Sequence, residues 1–191
     1  MSRIDESRPF IPVRIAVLTV SDTRSLDEDK SGATLAARIE KAGHVLAERA
    51  IVTDDTARIA ETVTGWAKRD DIEVVITTGG TGFTGRDVTP DALEPLFDKR
   101  MDGFSALFHR ISFDKIGTST IQSRATAGLM RQTFVFVLPG SPGACKDAWD
   151  GILEQQLDYR HMPCNFVEIM PRLDEHLKRG GGKSAEAPKP I

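Results

Sequence analysis

Only two cysteines, Cys145 and Cys164, occur in 191 residues, which excludes a disulfide-dense secreted module, and their spacing does not suit a zinc site. Both are expected as reduced thiols. No apolar run approaches the ~20 residues of a membrane span. Met1 to Pro12 carries Arg3, Asp5, Glu6 and Arg8 and lacks the apolar core of a signal peptide, so a cytoplasmic protein is expected, with no membrane partner. Basic charge is not in excess either: the net charge is -3, which offers no electrostatic footprint for nucleic acid. His44, His109, His161 and His176 are scattered without metal-ligand spacing and read as surface or packing residues. With 40% apolar and 28% charged residues, the chain is long enough for one domain with a full core.

What is present is an alternation of β-branched apolar runs and amphipathic segments. Val13 to Val20 is nearly continuous apolar sequence, as a strand covered on both faces requires. The loop that follows, through Ser31 and Gly32, reads as solvated; a helix is expected from Ala33 to Ala42, stopped by Gly43 in a left-handed cap. Val45 to Val52 includes Glu48 and Arg49 and suits a strand near an edge. Asp54, Asp55 and Thr56 open a helix in which Ile59, Val63, Trp66 and Ala67 share a face, and Ile72 to Thr78 forms the next strand. Thr89 is expected to cap a helix with Pro90 at its first position, and Pro95 to kink or shorten that helix. Phe104, Leu107, Phe108 and Ile111 mark another helix, after which residues 117–128 are polar and hydroxyl-rich. Thr133 to Leu138 is a last strong strand, broken by Pro139-Gly140-Ser141-Pro142-Gly143 before a helix bearing Ala148, Trp149, Ile152 and Leu153. A short apolar piece runs from Phe166 to Met170. The pattern implies a three-layer α/β/α sandwich around a mostly parallel sheet, with residues 1–12 as a flexible arm, 13–177 as a single domain and 178–191 as a disordered tail.

Polar chemistry gathers at the expected strand ends. Thr77 to Pro90, TTGGTGFTGRDVTP, packs Gly79, Gly80, Gly82 and Gly85, several threonines and Asp87 into one turn. Such a turn before a helix suits a phosphate-bearing ligand, because glycines let the backbone approach and free N–H groups bind anions. The same residues also make an ordinary tight turn. The spacing is not the Rossmann pattern, and no P-loop lysine follows. Ser21 and Asp22 end the first strand, and Gly140 and Ser141 end the last; in open parallel sheets ligands bind outside such ends, so the three turns are expected to face one crevice. Asp22, Asp54 or Asp55, and Asp87 beside a phosphate-type loop suit a hard cation such as Mg²⁺ and phosphoryl or nucleotidyl transfer. As local structure, Asp54 and Asp55 read equally as helix caps, and Asp87 as the organiser of the entry to the next helix. Ser119, Ser123 and Arg124 suit a terminal phosphate, or else a surface loop with one ion pair. Ser141 reads as a helix cap that also faces an anion. Cys145 falls near the first turn of a helical pattern, where a thiol pKa is lowered, but no histidine completes a nucleophile pattern.

Taken together, Thr19-Val20-Ser21-Asp22-Thr23, Thr78-Gly79-Gly80-Thr81-Gly82, Asp87-Val88-Thr89-Pro90-Asp91-Ala92, Gly117-Thr118-Ser119 with Gln122-Ser123-Arg124, and Leu138-Pro139-Gly140-Ser141-Pro142 resemble the MoaB/MogA family of molybdenum cofactor biosynthesis proteins. The resemblance runs from Val13 to Met170 and is strongest to the bacterial MoaB branch, through Gly82-Phe83-Thr84 and Pro163-Cys164-Asn165-Phe166. It implies a MogA-like molybdopterin-binding fold that is trimeric or built from trimers, so a homotrimer or homohexamer, with possible contacts to other cofactor-biosynthesis proteins. Catalytic members adenylylate molybdopterin with MgATP and release pyrophosphate. By motif, Gly79, Gly80, Thr81 and Gly82 would cradle phosphates. Asp87 would bind Mg²⁺ and act in catalysis, with Asp54 as the second acidic residue, although Val52-Thr53-Asp54-Asp55 lacks the proline that precedes that aspartate in many catalytic relatives. Ser119, Ser123, Arg124 and Ser141 would hold the pterin phosphate. Some members of the MoaB branch bind the pterin without adenylylating it, which makes a non-catalytic carrier the alternative; they tend to lose the aspartate-valine-threonine pattern that this chain keeps at Asp87-Val88-Thr89.

Overall fold

In the computed structural model, which describes residues 3–175, the central strands are β2 (Arg14–Val20), β3 (Val45–Val52), β4 (Val74–Thr78) and β7 (Thr133–Leu138). With β5 (Lys99–Arg100) and β6 (Thr126–Met130) they make a six-stranded sheet of order β3-β2-β4-β7-β6-β5. The first four strands run parallel and the last two join antiparallel, so the sheet is mixed but mostly parallel. Strand alternation explains the layers. Ile15, Val17, Val74, Ile76, Phe134 and Phe136 point to one face, under helices α1 (Lys30–Lys41), α4 (Asp102–Ile116) and α5 (Pro142–Ala148). Ala16, Leu18, Val75, Val135 and Val137 point to the other, under α2 (Thr56–Trp66) and α3 (Thr89–Leu93). Both faces are covered, which is why these strands are apolar throughout.

Four expectations are corrected. α1 begins at Lys30, so Ser31 and Gly32 lie inside it rather than in a solvated loop; Asp29 caps it, accepting from Gly32 N. Thr89 is the first residue within α3, not its cap, and its hydroxyl instead donates to Gly79 O at 2.8 Å. Strand β6 occupies part of the hydroxyl-rich stretch, its five residues all buried. Residues 3–12 are tied to the body rather than free. β1 (Arg3–Ile4) pairs antiparallel with β8 (His161–Met162), and Arg8 donates to Tyr159 O at 3.2 Å. The tail expected at 178–191 lies outside the described residues. Elsewhere the reading holds: β3 is an edge strand, Gly43 (φ 87°) follows the last turn of α1, and Pro95 turns the chain after α3 into a 3₁₀ segment, Glu94–Leu96.

The strand order positions the site. From β2 the chain leaves through α1 on one face to reach β3; from β4 it leaves through α3 on the other face. Adjacent parallel strands whose connections diverge in this way leave a crevice between their C-terminal ends. The two ends are Ser21-Asp22 and the glycine-rich turn.

Candidate functional site

The turns at the ends of β2, β4 and β7 pack against one another. Gly79 has φ +108°, and a Cβ there would fall 2.2 Å from Val20 O, so the position admits only glycine. Its N–H donates to Leu138 O at 3.0 Å, and Gly140 sits so close that an added Cβ would lie 3.0 Å from Gly79 Cα. Thr78 Oγ1 donates to Pro139 O at 2.9 Å. The end of β3 joins through Ser21 N to Val52 O at 2.9 Å and through Asp54 N to Asp22 Oδ1 at 3.1 Å. These contacts bring together the turns that carry Ser21-Asp22, Asp54, Gly79 and Gly140-Ser141.

The structure separates the two aspartates that the sequence left open. Asp55 is the N-cap of α2, its side chain accepting from Arg58 N at 2.9 Å. Asp54 faces the glycine turn: a Cβ on Gly80 would lie 3.1 Å from its Oδ1. Burial raises the Asp54 pKa, and the negative charge of Asp22 raises it further. Asp87 stands beside Gly82, where an added Cβ would lie 2.8 Å from its Oδ2. Burial opposes its ionisation, but Thr84, which donates both its N–H (2.9 Å) and its hydroxyl (2.5 Å) to Oδ2, holds the pKa below the ordinary carboxylate value. The guanidinium of Arg86 meets Asp22 through two bonds of 2.7 and 2.8 Å. Sequence reasoning missed Arg86 as a site residue; it directly precedes Asp87, but its partner is 64 positions away.

Among the described residues, no three His, Cys, Asp or Glu side chains gather closely enough to hold a metal on their own. Two carboxylates against a glycine backbone suit a cation that keeps several waters and takes further ligands from substrate phosphates, as Mg²⁺ does. Asp54 and Asp87 fit that donor set.

The remaining expected residues divide. Ser141 is the N-cap of α5 and accepts from Ala144 N at 3.1 Å. The hydroxyl of Ser31 donates to Gly140 O at 3.1 Å, beside a cavity of 620 Å³ whose walls include Arg24, Lys30 and Pro142. Ser119 is exposed on the 3₁₀ segment Gly117–Gln122. Ser123 Oγ and Thr120 Oγ1 are buried without a hydrogen-bond partner. Arg124 spends its guanidinium on the chain itself, donating to Gly82 O, Asp87 O and the Asp91 carboxylate. Cys145 is buried against Thr78, and burial pushes its thiol pKa up to about 11, opposite to the lowering that a helix start would give.

Comparison with known proteins shows the family and the fold. The family model described as "Probable molybdopterin binding domain" matches residues 16–159. Molybdenum cofactor biosynthesis protein B of Escherichia coli (strain K12) is 48% identical over 160 residues, covering 84% of this chain and 94% of the relative. The protein of the same name from Bacillus subtilis (strain 168) is 41% identical over 146 residues, 76% of this chain and 86% of that one. A crystal structure of molybdenum cofactor biosynthesis protein B superposes with a TM-score of 0.79 at 36% identity, covering 88% and 99% of the two chains. The tungsten cofactor synthesizing protein MoaB from Pyrococcus furiosus gives 0.68 at 35% identity, covering 75% and 92%. The chain thus belongs to the molybdopterin-binding domain family of molybdenum cofactor biosynthesis proteins.

Proposed function

We propose that this protein adenylylates molybdopterin, using ATP with Mg²⁺ and releasing pyrophosphate. The observation that carries the reading is the placement of Asp54 beside Gly80 and of Asp87 beside Gly82, on the turn at the crevice between β2 and β4. A phosphate oxygen of the pterin forms a bond to the α-phosphorus of ATP as the bond from that phosphorus to the pyrophosphate oxygen breaks. Positioning and charge neutralisation supply most of the catalysis in such transfers. Glycines bring the turn's backbone close to both carboxylates, and the hydroxyls of Ser119 and Ser141 would hold the pterin phosphate, with the buried, unpartnered Ser123 hydroxyl joining them if the loop shifts. Mg²⁺ held by Asp54 and Asp87 would neutralise phosphate charge. The raised pKa of Asp54 fits a carboxylate whose natural partner is a cation. Purified protein incubated with molybdopterin, ATP and Mg²⁺ is expected to yield adenylylated pterin and pyrophosphate. No product, beside an active relative assayed in parallel, refutes the reading.

One observation favours the alternative of a carrier that binds molybdopterin without chemistry. Asp22 is already neutralised by Arg86, and Asp87 is already bound twice by Thr84, so the chain satisfies much of its own acidic charge. Self-association is part of the same proposal. Phe83 (72% exposed), Ile121 (71%), Ile116 (55%) and Phe113 (52%) are large apolar side chains on the glycine loop, the 3₁₀ segment and α4. Their exposure suits a contact between copies of the chain.

A further inference from the structure

The two arginines near the glycine turn behave differently. Arg86 reaches outward to Asp22 and its side chain is 65% exposed, whereas that of Arg124 is 27% exposed and turned into the loop. The backbone N–H of Arg124 donates to Thr81 O at 2.8 Å, and its Nε to Gly82 O at 2.9 Å. Nη2 donates to Asp87 O, and Nη1 donates to both oxygens of Asp91 at 2.9 Å. The ring of Phe83 lies 5.6 Å from the guanidinium carbon. One planar group therefore joins the start of the loop, its end and the first turn of α3.

We infer that Arg124 is the positioning residue of the Gly82–Asp87 loop, fixing the Asp87 carboxylate through the backbone on either side of it, and that it is not a fork for substrate phosphate. The inference rests on the proposed function for its consequence, since Asp87 is the carboxylate that function needs in place. Three acceptors arranged around one plane need a guanidinium; a lysine ammonium is a point charge on a flexible stem and cannot span them. Asp91 anchors the group from the far side and is itself 58% exposed, so losing it loosens Arg124 without removing it. Both carbonyls released by a substitution sit in a loop that water reaches, so the damage falls on loop order more than on the fold.

The test uses the full chain as Arg124→Lys, Arg124→Ala and Asp91→Asn, with two readouts. In protein without substrate, NMR follows amide exchange at Thr84 and Asp87. Arg124→Lys should speed exchange at both amides about tenfold, as the bonds between Thr84 and Asp87 weaken. Asp91→Asn should give a smaller change in the same direction. Titration calorimetry with ATP and Mg²⁺ should then show weaker binding in both variants, in the order Arg124→Lys before Asp91→Asn. A phosphate fork predicts the reverse: loop exchange unchanged in Arg124→Lys, and binding kept or tightened in Asp91→Asn, where the guanidinium is freed. That result overturns the inference. If Arg124→Ala fails to fold, the other two variants decide. Wild-type protein that binds neither ATP nor molybdopterin would sink the proposed function, while the exchange data would still decide the role of Arg124.

Discussion

Asp22 Oδ1 accepts the backbone N–H of Asp54 at 3.1 Å, which brings two carboxylates to the crevice between β2 and β4. Burial, then the charge of Asp22, raises the pKa of Asp54. The folded state therefore disfavours ionised Asp54, and the penalty is present at neutral pH and vanishes as pH falls below the ordinary value of 3.8. Asp54→Asn should raise the melting temperature at neutral pH by about 1–2 °C, the shift that ~0.5 kcal/mol gives a domain of this size. The gain should fade on acidification through the folded pKa. Thermal unfolding of both proteins from neutral to acid pH measures it.

Asp29 makes the opposite case. Its side chain is wholly buried and accepts from Gly32 N (2.8 Å), Thr19 Oγ1 (2.7 Å) and Arg49 Nη2 (3.0 Å). Burial alone would raise its pKa; the hydrogen bonds from Gly32, Thr19 and Arg49 outweigh it and leave the pKa below the ordinary value. Its stabilising effect is thus complete above that value and lost as pH falls through the folded pKa. Asp29→Ala removes a helix cap and strands Arg49, and should cost about 3 kcal/mol in urea unfolding at neutral pH.

Gly79→Ala tests the packing of the three turns. A methyl group there would collide with Val20 O and sit on a backbone with φ +108°, so a loss of about 3 kcal/mol or failure to fold is expected. Gly85 has no heavy atom near an added Cβ. Gly85→Ala should therefore leave chemical unfolding within ~0.5 kcal/mol of wild type.

The architecture was legible where strands are buried on both sides: β2, β4 and β7 are nearly continuous runs of apolar residues and threonine, rich in β-branched side chains and ended by glycine or polar turns. β6 was hidden by Thr126 and Gly128, and Gly128 is there for packing, since a Cβ would lie 2.4 Å from the ring of Phe97. The start of α1 was hidden because Asp29 sits in a run of charges that looks solvated, while its partners Thr19 and Arg49 are 10 and 20 residues away. Long-range pairing hid the rest of the site as well. Nothing local distinguishes Asp54 from Asp55, or shows that Arg86 seeks Asp22, that Arg124 seeks Gly82 and Asp87, or that the N-terminal segment pairs with His161–Met162.

Self-association is checked with charge at the exposed apolar positions. Wild-type protein should sediment or scatter light as a trimer or hexamer, and Phe113→Asp with Ile121→Asp should shift it toward monomer with its circular dichroism unchanged. Wild-type protein that is monomeric at micromolar concentration would contradict the proposed oligomer.

The central claim concerns Asp87, held against Gly82 by Thr84 and bracketed by Arg124. Its most direct test measures molybdopterin affinity and the yield of adenylylated pterin with ATP and Mg²⁺ for wild type and Asp87→Ala side by side. An enzyme whose Asp87 serves the transfer predicts pterin affinity within about twofold of wild type and product formation reduced by about 10³-fold or more. Equal product from the two proteins, or none from wild type, would contradict it.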